Sequence, residues 1–571
     1  MLILRRLLLL LFLPLPLVAQ QVSVTVEGDY PELQDNARVF LGEVSGRSKS
    51  SLRRYAPTAV AQVKQAFQAL GYYHPEVRWE LTNGAEPQLR LTAVPGEPVR
   101  IRSRTVDISG PARSDPQFSA TLPRRPEVGD VLHHGRYDAL RQTLQNRGSR
   151  LGYFDAEFTT HKLIVDPEAG VADIVLVYES GERYQLGAVT FEDGHGFDEM
   201  LLRQFVTIEP GEPYHADKVA GLNRDLLNSG YFAQVLVDAV PSDAEDRVIP
   251  VNVRLRPRAP RSVAAGVGFS TDVGPRFRGT WTEHWVNPSG HRRGADTELS
   301  APRQNISAWY ELPLDPPMTD AIRFTTGYQS EDIEDVTSER LTFGQQWQHG
   351  LESGWMQILS LRWEGERYRI GREVKQSSQL LLPGADYTKL QADSALDPSK
   401  GYRLQLGVAG AHRGVLSDVD LLHLQIMAKG LMTLADKHRL LVRLEAGGVA
   451  TSSFDDVPPS LRFFAGGDQS VRGYGYETLS PQDDAGNTEG GRYLLVGSAE
   501  YQYAFANRWR VAAFYDAGNA INNLNDPLAS GAGVGVRWIS PVGPLRLDIA
   551  KGLNPDFGGG WRLHFSMGPE L

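Results

Sequence analysis

Cysteine is absent from all 571 residues, so neither a disulfide framework nor thiol chemistry is open to this chain. Catalytic signatures are missing too. There is no Gly-x-Ser-x-Gly pentapeptide, no His-Glu-x-x-His pair and no Walker-type phosphate loop. A non-enzymatic protein with no cofactor and no metal is expected. The acidic stretch Asp483-Asp484-Ala485-Gly486-Asn487-Thr488-Glu489 lacks EF-hand spacing and reads as a solvated loop. The formal charge of −10 is spread over many groups of both signs, which argues against a nucleic-acid binder. Long apolar runs are scarce as well. The one at residues 7–18 follows Arg5 and Arg6 and precedes Ala19. It is too short to span a bilayer as a helix and reads as a secretory signal over residues 1–19. The remainder is then either soluble or a membrane β-barrel, because barrel strands alternate lipid-facing with lumen-facing residues and escape hydropathy scans.

The first half repeats. Leu70-Gly71-Tyr72-Tyr73 recurs as Leu151-Gly152-Tyr153-Phe154 and as Ser229-Gly230-Tyr231-Phe232. A period of roughly 80 residues suits small domains and not a solenoid. Eight residues before each glycine stands an apolar residue, Val63, Leu144 or Leu222. Four before it stand Phe67, Gly148 and Leu226, so the middle copy departs. Steps of four on one face predict a helix that stops at the glycine. Strand-like runs open each copy (22–28, 105–110, 189–194) and close it (89–94, 174–178, 248–255). The unit is strand, helical region, helix, Gly-Tyr-aromatic turn, strand, strand. Domains are expected at 20–98, 99–182 and 183–260. His133 and His134 are adjacent in the second copy and are read as solvated surface.

Pro257 and Pro260, among four arginines, end this half. Alternating runs then recur to the C-terminus. In 492–505, Tyr493, Leu495, Ala499, Tyr501 and Tyr503 face one way and Ser498, Glu500 and Gln502 the other. In 508–518, Trp509, Val511, Ala513 and Tyr515 oppose Arg510, Phe514 and Asp516. The last three runs set Arg537, Asp548 and His564 against apolar faces in the same way. Strands of about ten residues with Trp or Tyr near their ends suit a bilayer better than a sandwich, and the remaining length suits about sixteen of them. The expected fold is α+β repeats followed by an all-β transmembrane barrel of 16 antiparallel strands over 261–571, its charged face turned to a wet lumen. Closure would pair a first strand carrying Gly266 and Gly268 with a last strand carrying Leu563 and Phe565, which Gly558-Gly559-Gly560 precede. Glycines weaken a ladder, so this seam is expected to be weak.

One stretch stands apart from the alternation. Residues 462–476 place Arg472 among glycines and aromatics, with Gly466-Gly467 ahead of Val471-Arg472-Gly473-Tyr474. That composition suits a structured loop delivering an arginine to a defined place.

The β-α-α-β-β repeat resembles the POTRA domain, whose strand edges accept client chains by β-augmentation. Val471-Arg472-Gly473-Tyr474, Phe514-Tyr515-Asp516-Ala517-Gly518 and Gly543-Pro544-Leu545-Arg546-Leu547-Asp548 follow the repeats in order. On these motifs the chain resembles the POTRA-barrel outer-membrane assembly superfamily related to BamA, and three repeats match its TamA branch, the translocation and assembly module. The resemblance implies that the loop at 462–490 folds into the lumen, where Arg472 meets acidic residues of the inner wall. The alternation offers Asp516 and Glu500 for this, and a guanidinium can fork to two carboxylates. It also implies an outer-membrane protein with its POTRA domains in the periplasm. Such a protein helps to insert and translocate autotransporters and other β-barrel proteins. The implied partners are unfolded outer-membrane clients, an inner-membrane-anchored TamB-like protein and outer-membrane lipid. Two alternatives stay open: a passive secretion pore of the two-partner type, and a divergent BamA-like general barrel insertase.

Overall fold

Three short sheets and one sheet of sixteen strands make up the computed structural model, which describes residues 21–82, 87–119, 123–371, 373–540 and 543–568. The expected signal at 1–19 lies outside the described residues. In each short sheet the last strand of the repeat lies in the middle. The spatial orders are Val22–Val26, Leu89–Val94, Glu76–Leu81; Arg100–Ser109, Val171–Glu179, Glu157–Asp166; and Gln185–Phe191, Val248–Pro257, Phe232–Asp238. In the first two sheets the middle strand runs parallel to the opening strand and antiparallel to the other. Helices cover one face through the apolar positions at steps of four: Val63 and Phe67 in Lys49–Ala69, Leu144 in His134–Leu151, Leu222 and Leu226 in Ala216–Asn228 are all buried.

The opening strands of the second and third repeats begin earlier than the periodicity indicates. Their first residues, Arg100 and Gln185, are held by bridges to Val131 and Pro213, a pairing that needs no apolar alternation. The departure at Gly148 has a steric cause. A Cβ there would lie 2.0 Å from the Tyr178 hydroxyl oxygen, so the tyrosine takes the volume beside the helix.

The repeated glycines stop their helices at φ of +89° (Gly71), +86° (Gly152) and +79° (Gly230), a region that favours glycine. The aromatic that follows does more than end a helix. The Tyr73 hydroxyl and His134 Nε2 hydrogen-bond at 2.6 Å, and Phe154 packs against Tyr184 and Tyr214 with ring centroids 5.4 and 4.9 Å apart. Each of these turns is thereby seated against the following repeat. The reading of the two histidines as solvated surface is corrected here. His134 is half-buried in that joint, and burial holds its pKa below the usual imidazole value. His133 caps the helix that starts at His134, its Nδ1 accepting from the Arg136 N–H at 3.3 Å.

The chain divides into two compact units. One runs through Thr190 and takes in Ile208–Gly221 and Val237–Val253; the other holds Phe191–Thr207, Leu222–Leu236 and Arg254 onward. Within the second unit the third Gly-Tyr-aromatic turn meets the turn between the second and third barrel strands. Tyr231 donates its hydroxyl to the Gly290 carbonyl at 2.8 Å, the Arg292 guanidinium lies 4.3 Å over the Tyr231 ring, and Phe197 packs 5.4 Å from Trp285.

The barrel follows as sixteen strands, each hydrogen-bonded to the next in chain order, from Arg261–Ser270 to Trp561–Met567. Alternation sets the faces. In Met356–Ile370, Leu359 and Leu361 are exposed outward while Glu364 and Glu366 are buried inward. Among the described residues no helix is long and apolar enough to cross a membrane; strands of this kind cross it, with their backbone groups satisfied by neighbours.

Candidate functional site

The chain leaves the eleventh barrel strand at Ala450 and rejoins the wall at Tyr493. Between them the loop builds a small core of its own. Leu461, Phe463, Ala465, Val471, Tyr474 and Leu479 are buried together with Leu380, Leu382, Leu494 and Val496 of the inner wall. Burial of each large apolar side chain is worth about 1.5–3 kcal/mol, so the loop is anchored before any charge is counted.

Arg472 is the polar centre of this core. Its Nε donates to Asp516 Oδ2 at 2.7 Å and its Nη2 to Asp516 Oδ1 at 2.9 Å, a bidentate pair. Its Nη1 donates to Glu500 Oε2 at 2.8 Å and to Asp548 Oδ2 at 3.3 Å. The guanidinium carbon lies 3.3 Å from the centroid of the Phe514 ring. A second arginine, Arg537, shares the same acids: its Nη2 reaches Glu500 Oε1 at 2.8 Å and its Nη1 reaches Asp548 Oδ1 at 2.6 Å. Two guanidiniums thus face three carboxylates, and Asp516 is fully buried. Arg443 holds the loop from another strand by donating to the carbonyls of Gln469 and Ser470.

Backbone contacts complete the seat. Gly473 has φ +94°, and a Cβ there would lie 2.4 Å from the Gly552 nitrogen, so only glycine brings the loop this close to the fifteenth strand. The Tyr474 hydroxyl donates to the Ser530 carbonyl at 2.8 Å. Val471 is fully buried, and Gly466 and Gly467 form the approach to the turn.

The seam is the second feature. The first strand, Arg261–Ser270, and the last, Trp561–Met567, are the two ends of the sixteen-stranded sheet and, among the described residues, share no ladder. Among the described residues two hydrogen bonds join these margins. The Thr271 N–H donates to the Phe565 carbonyl at 3.2 Å, and the Phe565 N–H donates to Thr271 Oγ1 at 3.1 Å. Gly266 and Gly268 lie on the inner side of the first strand, opposite Arg278 and Arg276. Gly558, Gly559 and Gly560 form the turn before the last strand, whose outer face carries Leu563 and Phe565.

The loop touches both margins of that seam. The Asp468 N–H donates to Asp272 Oδ2 at 2.8 Å, in the turn after the first strand. The Gly473 N–H donates to His564 Nε2 at 3.0 Å, on the last strand.

A family model described as the Omp85 superfamily domain matches residues 282–570, half of the chain. The chain belongs to the Omp85 superfamily. Within this Omp85 chain, residues 23–95 match the model "POTRA domain TamA domain 1" and residues 184–258 a POTRA model, "Surface antigen variable number repeat". It is an outer-membrane protein whose POTRA domains lie in the periplasm. Curated relatives include the outer membrane protein assembly factor BamA of Nitratidesulfovibrio vulgaris, 25% identical over 73% of this chain and 55% of that protein. BamA of Neisseria meningitidis serogroup B is 22% identical over 79% of this chain and 64% of its own length. The chain therefore spans little more than half to about two thirds of these relatives. The crystal structure of BamA from Haemophilus ducreyi lacking POTRA domains 1–3 superposes with a TM-score of 0.68 at 15% identity, covering 82% of this chain and 99% of that one. That likeness concerns the fold.

Sequence reasoning singled out Arg472, Asp516 and Glu500, and the structure brings them together. It did not link Asp548, Arg537, Arg443, Asp272 or His564 to the loop. Asp548, Arg537 and His564 carried a signal, since each stood on the charged face of an alternating strand. Asp272 carried none, being one acid in a short turn.

Asp272 is expected to give the loop a pH dependence. It lies in a turn outside the strands, and burial, followed by the nearby Asp468 carboxylate, pushes its carboxyl up to about 8. A folded value raised above the unfolded one leaves the seated loop fully favoured below about pH 4 and disfavours it as pH climbs through about 8, because burial and the Asp468 carboxylate outweigh the gain that ionisation brings to the Asp468 N–H bond. Opening events of the purified protein in planar bilayers are expected to become severalfold more frequent between about pH 5 and about pH 9, with Asp272→Asn removing most of that dependence. A variant that keeps the full wild-type slope would show that Asp272 does not control the contact.

Proposed function

We propose that this Omp85 protein is the outer-membrane component of a translocation and assembly module, inserting and translocating autotransporters and other β-barrel proteins. The observation that carries this reading is the unpaired seam bridged on its inside by one loop. An unpaired strand edge templates an incoming strand through main-chain hydrogen bonds that ignore side-chain identity. A loop seated on Asp272 and His564 holds the two margins until a client displaces it. Arg472, with Asp516, Glu500, Asp548 and Arg537, is the lock that seats the loop. No nucleotide is required, since the client's own folding into the membrane supplies the free energy. The POTRA sheets, each with two outer strands, receive unfolded clients in the periplasm and contact an inner-membrane-anchored TamB-like partner. The match of residues 23–95 to a TamA POTRA model supports the module reading.

A BamA-like general insertase is the second reading, favoured by the names of the curated relatives. Affinity purification of the full chain from membranes separates the two. Co-purification of one large inner-membrane-anchored protein is expected. Recovery of many outer-membrane clients without such a partner would favour the general insertase. A large steady conductance in planar bilayers, with the loop acting only as a mobile plug, would instead support the passive pore of the two-partner type.

A further inference from the structure

The outer wall near the seam carries a trough that the assembly reading does not use. Antiparallel register puts Trp281, Ala295, Ala308, Thr326 and Phe343 in one continuous row across the second to sixth barrel strands. All five belong to the lipid-facing set. Three small side chains thus lie between two large rings, which stand four strand spacings or about 19 Å apart. The result is a groove of about 730 Å³ with a mostly apolar lining. Tyr310 and Phe324 pair in the next row and form its periplasmic rim.

That same next row begins with charge. Arg261, Glu283 and Arg293 are successive cross-strand neighbours, leading to Tyr310. Glu283 is buried and accepts from both guanidiniums, from Arg261 Nε at 2.9 Å and from Arg293 Nε at 2.5 Å. Each arginine spends its Nε on the shared acid. Among the described residues their terminal nitrogens make no hydrogen bond, and the two side chains remain 66% and 47% exposed. One carboxylate cannot neutralise two guanidiniums, so the group keeps a net positive charge and open, forked donors suited to a phosphate. Arg293 itself lines the groove, 5.8 Å from the Trp281 ring. Glu283 ends its strand just before the turn that Tyr231 contacts, which puts the cations at the periplasmic headgroup level.

We propose that this wall holds one anionic phospholipid of the periplasmic leaflet, its phosphate on Arg261 and Arg293 and an acyl chain in the trough between Trp281 and Phe343. The match is chemical on both ends: a phosphate meets a paired, under-neutralised guanidinium site, and a flexible chain meets the small-residue floor of that row. The bound lipid would reach from the first strand, at the seam itself, towards the sixth, and its removal would leave apolar wall and cations without cover.

Native mass spectrometry of the full-length protein, titrated with phosphatidylglycerol or with phosphatidylcholine of the same chains, tests this. Phosphatidylglycerol is expected to be retained about tenfold better. The double variant Arg261→Gln and Arg293→Gln should bring the two lipids to parity. Ala308→Trp, which fills the trough and leaves the charges alone, should lower retention of phosphatidylglycerol by a similar factor. It keeps the test open if the arginine variant fails to fold, as judged by heat-modifiable gel mobility. Soluble glycerol phosphate should not compete. Equal retention of both lipids by the natural protein, an unchanged preference in the double variant, or competition by glycerol phosphate would each overturn the proposal, the last by reducing the site to a phosphate site.

Discussion

Bridging the first and last barrel strands covalently is expected to stop client insertion while leaving the barrel folded. The expectation rests on a contrast in pairing. The first and second strands are in register from Arg261 opposite Glu283 to Ser270 opposite Gly274, and the fifteenth and sixteenth from Leu545 opposite Met567 to Lys551 opposite Trp561. Between the margins of the first and the sixteenth there are, among the described residues, two hydrogen bonds, both joining Thr271 and Phe565, and one ring pair, Phe269 with Phe565 at 6.0 Å. Two such bonds are worth roughly 1–3 kcal/mol net and the ring pair about 0.5–1.5 kcal/mol. Opposing this, each unpaired edge group in hydrocarbon costs several kcal/mol. A client hairpin that pairs with either edge removes that cost, so exchange of the seam for a client is favourable where exchange of any other strand pair is not. The natural chain has no cysteine, which makes the test clean. Phe269→Cys with Phe565→Cys, joined by oxidation or by a short bismaleimide, should reduce insertion of a model client to background. Cleaving the bridge should restore it, and each single cysteine should stay near the natural rate. Undiminished insertion by the bridged barrel would rule out strand exchange at this seam.

How much of this was legible beforehand depended on whether a residue's neighbours were local or distant. Alternation is local, so the facing of Glu500, Asp516, Arg537 and Asp548 could be read from a few residues on either side. The Gly-Tyr-aromatic turns were legible as helix stops for the same reason. Their second role was not, because Tyr73 meets His134 and Phe154 meets Tyr214 only after the chain has folded through another domain. The in-folded loop shows the same limit. Its glycines and Arg472 announced a structured loop, and resemblance supplied the lumen. The sharing of Glu500 and Asp548 by two arginines depends on register between the twelfth, fourteenth and fifteenth strands, which no single segment encodes. Gly148 is the clearest small case: a break in the helix pattern that only the position of Tyr178 explains.

Arg472→Ala is expected to release the loop from the lumen wall and to reduce client assembly, with the POTRA repeats still folded. The natural cluster sets two guanidiniums against three buried carboxylates. Removing Arg472 leaves Arg537 on Glu500 and Asp548 and, among the described residues, no guanidinium hydrogen-bonded to Asp516. Asp516, fully buried, would keep only the Ser498 hydroxyl at 2.6 Å and the loop's own N–H at 3.1 Å. Breaking a buried pair from one side costs about 3–5 kcal/mol, more than a hundredfold in the occupancy of the seated loop. The apolar core around Val471 and Tyr474 offsets part of that loss, so the loop should sample the released state without unfolding the barrel. Arg472→Lys preserves the charge but not the planar fork, and one ammonium cannot satisfy Asp516 bidentately while reaching Glu500 and Asp548. Its effect should therefore fall between those of the natural residue and alanine. A second change tests the cause. Adding Asp516→Asn to Arg472→Ala removes one stranded charge and should recover part of the loop's protection, which a merely steric role for the arginine would not produce. Limited proteolysis of the loop and conductance in planar bilayers read the seating, and client assembly at matched protein levels reads the consequence. Normal assembly by Arg472→Ala, with the loop exposed, would separate the lock from the function and leave the seam to act alone.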